Sequence, residues 1–235
     1  MAGTLVAYRD GVQALEGYYV TPDKDAELPG VLIAPTWLNL GEGIRRRADR
    51  LAAHGYSVLI ADLFGAGILP APPQSPVSVV APFLADRLLF RRRLAAGLEA
   101  FRTRCDKEKI AAVGYCLGGC GVLELARAGA HLRGVVSLHG MLNAPLPAEP
   151  GKIKAKILVL HGDADPLVPL SEISTFVNEM RAAEADWEIN TYGKAKHSFT
   201  GEGIMGKPGP EARLHPQSEQ RSWRATLQFL QEVLA

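Results

Sequence analysis

The stretch Ile110-Ala-Ala-Val-Gly-Tyr-Cys-Leu-Gly-Gly-Cys120 constrains this chain more than any other. Ile110 to Val113 is an apolar, β-prone run that stops at Gly114, and Gly118 and Gly119 open a segment to Ala128 with helical character. A strand that becomes a helix so abruptly leaves no room for side chains at Gly114 or Gly118, and it holds the residue between them in strained backbone. That residue is Cys116. The pattern Gly-x-nucleophile-x-Gly in a strand–turn–helix context lifts a reactive side chain out of a sheet. The helix N-terminus beneath it favours a thiolate. A buried cysteine in an ordinary β–α turn is the plain alternative, and partners elsewhere in the chain decide between the two.

A thiol is mostly protonated at neutral pH, so it needs a base to activate it and an acid to protonate the leaving group. Where this turn occurs, the partners follow in the order nucleophile, acid, histidine. The segment Ile157-Leu-Val-Leu-His-Gly-Asp-Ala-Asp-Pro-Leu-Val-Pro169 ends an apolar strand in a loop carrying Asp163 and Asp165. Asp165, just before Pro166, is the expected acid, with Asp163 as the fallback. His197, in Lys194-Ala-Lys-His-Ser-Phe199, follows a β-prone run and can reach back over the turn. His215 sits beside Pro216 and reads as a surface residue. Order and spacing thus select Cys116, Asp165 and His197, with Asp165 fixing the tautomer of His197 and His197 relaying the proton. Backbone N–H groups of Leu117 and Trp37 are the expected oxyanion donors.

The rest of the chain frames these residues. Residues 4–9 and 12–20 are β-rich around the hairpin signal Asp10-Gly11. Strands are expected at 31–34, 56–63, 132–138, 153–160 and 187–192, and helices at 43–54, 83–104, 171–183 and 217–234. Residues 69–82 contain Pro70, Pro72, Pro73, Pro76 and Pro82, so neither regular helix nor central strand is expected, but a lid or pocket-wall loop. Buried strands as continuous apolar runs alternating with helices predict an α/β fold: a mostly parallel central sheet, an N-terminal β-hairpin and helices on both faces. No linker divides residues 1–235, which read as one domain, monomeric or homodimeric.

Net charge is +1, so nothing points to nucleic acid or an anionic membrane, and no apolar window of membrane-spanning length occurs. The first residues lack a signal-peptide pattern, and three cysteines fit a reducing compartment better than a disulfide framework. A cytoplasmic protein is expected. Neither metal-ligand spacing nor a glycine-rich phosphate loop appears, so no metal and no organic cofactor is expected.

Gly114-Tyr-Cys-Leu-Gly-Gly119, His161-Gly-x-x-Asp165, Lys196-His197-x-Phe199 and Ala61-Asp-Leu-Phe-Gly65 together resemble the dienelactone hydrolase (carboxymethylenebutenolidase) family, from about residue 10 to the C-terminus. The resemblance implies an α/β-hydrolase fold, a Cys–His–Asp triad on the positions already chosen, and ester or lactone hydrolysis through a thioacyl intermediate. Family members acting on dienelactone carry a glutamate where this chain has Thr36, and an arginine near the position of Gly201. Without those charges a neutral ester or lactone is the expected substrate. A neutral phosphotriester, attacked by the same triad, is the second reading, and a thiol sensor that does not turn over is the third. Thr36, Trp37, Phe64, His139 and Phe199 are expected to line the substrate pocket, with core packing the alternative for the aromatic ones. His161 reads as a loop anchor, Cys120 as a small core residue and Cys105 as inert. Arg45–Arg47 and Arg91–Arg93 read as solvated helix faces, with Arg87 or one of the second run in reach of the pocket.

Overall fold

Alternate residues of the buried strands face two different helical layers, because successive side chains in a strand point to opposite sides. Residues 3–71, 73–202 and 212–235 are described by a computed structural model of the chain; Met1, Ala2, Pro72 and residues 203–211 lie outside them. The strands are β1 (Thr4–Asp10), β2 (Gln13–Val20), β3 (Pro29–Ala34), β4 (Ser57–Ile60), β5 (Asp106–Tyr115), β6 (Gly134–Leu138), β7 (Lys156–Gly162) and β8 (Trp187–Tyr192). They form one 8-stranded sheet in the order β1-β2-β4-β3-β5-β6-β7-β8. β2 runs antiparallel to both β1 and β4, and every pair from β4 through β8 is parallel.

The helices are α1 (Glu42–Ala52), α2 (Pro76–Ala85), α3 (Arg87–Arg102), α4 (Leu117–Arg127), α5 (Leu170–Ala182) and α6 (Pro216–Leu234). Leu32, Leu59, Ala112 and Val135 point toward Phe83, Phe90, Leu94, Leu123 and Phe176 of α2 to α5. Val31, Ile33, Val58 and Val113 point the other way, toward Ile44 and Leu51 of α1 and Leu230 of α6. Each of the valine, leucine, isoleucine and phenylalanine side chains taken from water contributes about 1.5–3 kcal/mol. All of α4 is buried, so this helix is covered on every side rather than on one stripe. Among the described residues no helix is long and apolar enough to cross a membrane.

The proline-rich segment departs from expectation. Residues 76–82 belong to α2, with Pro76 in the first turn, where a missing N–H costs nothing, and Pro82 inside the helix. The expected helix 83–104 is split at Asp86, whose extended backbone ends α2 and whose carboxylate accepts the Leu89 N–H at 2.9 Å to start α3. The basic runs are not solvated faces either. Arg47 is 5% exposed and Arg93 8%, leaving only Arg46 and Arg92 of the two runs in solvent. Both of these guanidinium groups are matched by carboxylates: Arg47 by Glu202 and Glu219, Arg93 by Asp10. Helical periodicity placed these arginines outward; acids from distant segments draw them in.

Candidate active site

At the carboxyl end of β5 the backbone of Cys116 has φ 54° and ψ −114°, a conformation that non-glycine residues rarely adopt. The flanking glycines permit it. A Cβ on Gly114 would lie 2.0 Å from the Gly118 carbonyl oxygen, and one on Gly118 would lie 1.9 Å from that of Ala34. The start of α4 is therefore pressed against β3. The Cys116 N–H donates to the Leu138 carbonyl at 3.0 Å and to His139 Nδ1 at 3.1 Å, and its side chain is partly exposed.

Two further loops supply partners for this thiol. His197, beyond β8, places Nε2 at 3.1 Å from Cys116 Sγ. Its Nδ1 lies 2.9 Å from Oδ2 of Asp165, beyond β7. Asp165 is itself fixed: Oδ1 accepts the Leu167 N–H at 2.9 Å, and its own N–H donates to the Gly162 carbonyl at 3.0 Å. Asp165 and His197 are buried, whereas Asp163 is exposed. His215 serves elsewhere, accepting the Ser218 N–H as the N-cap of α6. Burial opposes charge on His197, but the Cys116 sulfur and the hydrogen bond to Asp165 outweigh it, and the imidazolium is pushed up to about 10. The arrangement suits a thiolate–imidazolium pair able to attack a carbonyl or phosphoryl centre and then donate a proton.

The two expected backbone donors belong to the first residue of α4 and to the loop after β3. Leu117 opens α4, where N–H groups have no acceptor within the helix. Trp37 follows β3 in a tight loop in which Thr36 Oγ1 accepts the Leu38 N–H at 3.2 Å and the Thr36 carbonyl accepts the Asn39 N–H at 3.1 Å. Sequence reasoning missed what holds that loop. Asn39, with φ 50°, donates its amide to Asp62 Oδ1 at 2.8 Å and to the Ile68 carbonyl at 2.9 Å, and accepts the Leu63 N–H at 3.1 Å. Asp62 also accepts the N–H groups of Phe64 and Gly65 on Oδ1 and of Glu16 on Oδ2. One buried carboxylate thus joins β2, the Trp37 loop and the Phe64 loop. The usable signal was an acid at the carboxyl end of a buried strand together with an asparagine in a loop, a residue that tolerates left-handed backbone.

Of the expected pocket residues, Phe64 is half-buried against Phe83, with ring centroids 5.3 Å apart. Thr36, Trp37 and His139 are buried close to the sulfur's loops, and Phe199 is wholly buried, edge-on to His139 at 5.3 Å. A cavity of about 340 Å³ opens at the same rim of the sheet, between Leu38 and Gly41, Leu69 and Pro70, and Gly201 and Glu202; none of Thr36, Trp37, Phe64, His139 and Phe199 is among its lining residues. A larger one, about 910 Å³, lies at the opposite rim of the sheet near Tyr19, Arg102 and Cys105, far from the convergent side chains. Cys120 is fully buried, as a core residue should be, yet it accepts from Arg87 Nη1 at 2.8 Å; burial raises its thiol to about 11 despite that cation. Burial likewise raises Cys105 to about 12.

A mostly parallel sheet in this strand order, with a strained cysteine turn after β5, an aspartate after β7 and a histidine after β8, is an α/β-hydrolase. The chain belongs to the dienelactone hydrolase family, whose model matches residues 15–234. It is 33% identical to a solved structure named m3DLH, with TM-score 0.92 over 100% of this chain and 99% of that one. It is also 33% identical to the dienelactone hydrolase-like promiscuous phosphotriesterase P91 from metagenomic libraries, with TM-score 0.89 over 100% of this chain and 99% of that one. The carboxymethylenebutenolidase homolog of Mus musculus is 27% identical over 158 residues, covering 66% of this chain and 63% of the mouse protein. The chain is accordingly a hydrolase acting on ester bonds.

Proposed function

We propose that the protein hydrolyses neutral carboxylic esters or lactones by covalent catalysis at Cys116. The observation that carries this reading is the line Asp165 Oδ2–His197 Nδ1, 2.9 Å, and His197 Nε2–Cys116 Sγ, 3.1 Å. The thiolate attacks the carbonyl carbon, and the C=O electron pair moves onto oxygen. The N–H groups of Leu117 and Trp37 receive that oxyanion; one such donor is typically worth about 3–4 kcal/mol in the transition state. As the C–O bond to the leaving group breaks, protonated His197 gives its proton to the alkoxide. Water then attacks the thioester while His197 takes its proton, the C–S bond breaks, and the thiolate–imidazolium pair is restored.

Neutral substrates are favoured because the positions where dienelactone-hydrolysing relatives carry a glutamate and an arginine are Thr36 and Gly201 in this chain. Thr36 turns its hydroxyl to the Leu38 N–H, Gly201 has no side chain, and Arg47 is matched by Glu202 and Glu219. A second reading, phosphotriester hydrolysis by the same groups, is supported by the likeness to P91. The test is steady-state turnover of a short neutral aryl ester and a neutral aryl phosphotriester by wild type and Cys116→Ala. Sustained turnover lost in the variant supports the mechanism, and the ratio of the two rates selects the substrate class. A single burst of product followed by silence points to a thiol sensor, and equal rates in both proteins overturn the role of Cys116.

A further inference from the structure

His139 is held in a conformation that must be compensated by its surroundings. It follows β6 with φ 40°, in the left-handed region, and is 1% exposed. Both ring nitrogens are engaged. Nδ1 lies 3.1 Å from the Cys116 backbone nitrogen, and a backbone N–H can only donate, so Nδ1 accepts. The ring proton therefore resides on Nε2, which donates to Thr200 Oγ1 at 2.7 Å. The ring also meets His197 at 5.4 Å between centroids, 69° from parallel. Burial, and then the neighbouring His197, hold His139 well below the ordinary histidine range, in keeping with a neutral acceptor. Thr200 is anchored in turn, because its carbonyl accepts from Arg47 Nη2 at 2.9 Å, and Arg47 is gripped by Glu219 at 2.6 Å.

We propose that His139 is a positioning residue for the reaction at Cys116: its single neutral ring joins the strained nucleophile turn to the loop that carries His197 and sets the distance between thiol and imidazole. The proposal rests on the reading of Cys116 as nucleophile. The acceptor at Nδ1 holds the Cys116 N–H from the side of β6. The donor at Nε2 holds Thr200, three residues beyond His197. The edge of the ring keeps His197 from sliding past the sulfur. His139 touches no reacting atom in this arrangement; it acts through the two loops it joins.

The test compares His139→Phe, which keeps a ring but no acceptor, with His139→Asn, whose Oδ1 falls near the place of Nδ1. The readout is the single-turnover acylation rate of the full chain with a neutral 4-nitrophenyl ester, beside KM and the folded fraction by circular dichroism. Misplacing reacting groups by about 1 Å costs on the order of 10²-fold, so His139→Phe is expected to lose about that much in acylation at little-changed KM, and His139→Asn to regain roughly tenfold of it. A His139→Phe rate equal to wild type, or an asparagine variant no better than phenylalanine, overturns the proposal. Should the variants fail to fold, ¹⁵N spectra of the wild-type ring decide: a bare Nδ1 and a protonated Nε2 support it, and the reverse tautomer or an imidazolium at neutral pH overturns it. Cys116→Ala, run alongside, separates this from the mechanism itself. Undiminished turnover in that variant removes the nucleophile reading, whereas a failed rescue with Cys116 essential removes only the role of His139.

Discussion

The two rims of the sheet differ in a way that volume alone misrepresents. The amino-terminal rim holds the larger cavity, about 910 Å³, together with a thiol, Cys105, that burial raises to about 12. The carboxyl-terminal rim holds a cavity of only about 340 Å³. Yet of the described non-glycine residues with positive φ, Asn39, Cys116, His139, Lys194 and Ser198 lie at the carboxyl rim and only Glu184 at the other. An open space records where nothing packs; clustered strain records where groups are held against their preference by the surrounding fold. The chemistry we propose follows the strain rather than the volume.

That contrast can be broken most sharply at the thiols. Cys116→Ala is expected to lower ester turnover by about 10⁴-fold or more, as loss of a triad nucleophile does, while Cys105→Ala leaves it unchanged. Next in size is backbone crowding. Gly118→Ala forces a Cβ against the Ala34 carbonyl and should cost more than about 4 kcal/mol in urea unfolding, whereas Gly193→Ala meets open space and should stay within about 0.5 kcal/mol.

The sign of the pH dependence sharpens the comparison further. His197 must be protonated to release an alkoxide, and its imidazolium persists to about 10. Turnover of an alkyl ester should therefore fall about tenfold per pH unit above that value, while a 4-nitrophenyl ester, whose leaving group needs no proton, keeps its rate. Alkylation should discriminate among the cysteines too. Iodoacetamide at neutral pH is expected to label Cys116 and spare Cys105 and Cys120, read by peptide mass spectrometry. The smallest effect belongs to the surface: Arg46→Ala removes an exposed pair with Glu42 and should shift stability by no more than about 0.5 kcal/mol.

Much of this was legible before any coordinates. Strand runs, the glycine-flanked cysteine and the chain order of acid and histidine depend on local steric rules and on topology, and both leave marks in sequence. The alternation that sends Leu32 and Val31 to different layers is of the same kind. What stayed hidden depends on long-range polar pairing. Arg47 looks like a surface residue until Glu202 and Glu219 arrive from far along the chain. Asn39 looks like a loop residue until Asp62 closes on it. The helix at 76–85 was hidden for another reason: proline frequency argued for a loop, but the first turn of a helix has no use for the N–H that Pro76 lacks.

The packing of Gly118 on Ala34 also separates what a lineage or an engineer can rewrite from what must stay. Exchanging Cys116 for serine replaces one sulfur with one oxygen and adds no atom that the turn must make room for. Changing either glycine shifts a helix off a strand. The reactive letter of the turn is thus its most replaceable one, and its inert letters are the least. Any sequence that preserves both glycines offers the same seat for a different nucleophile, so this frame can change its chemistry by single-atom steps while the scaffold stands still.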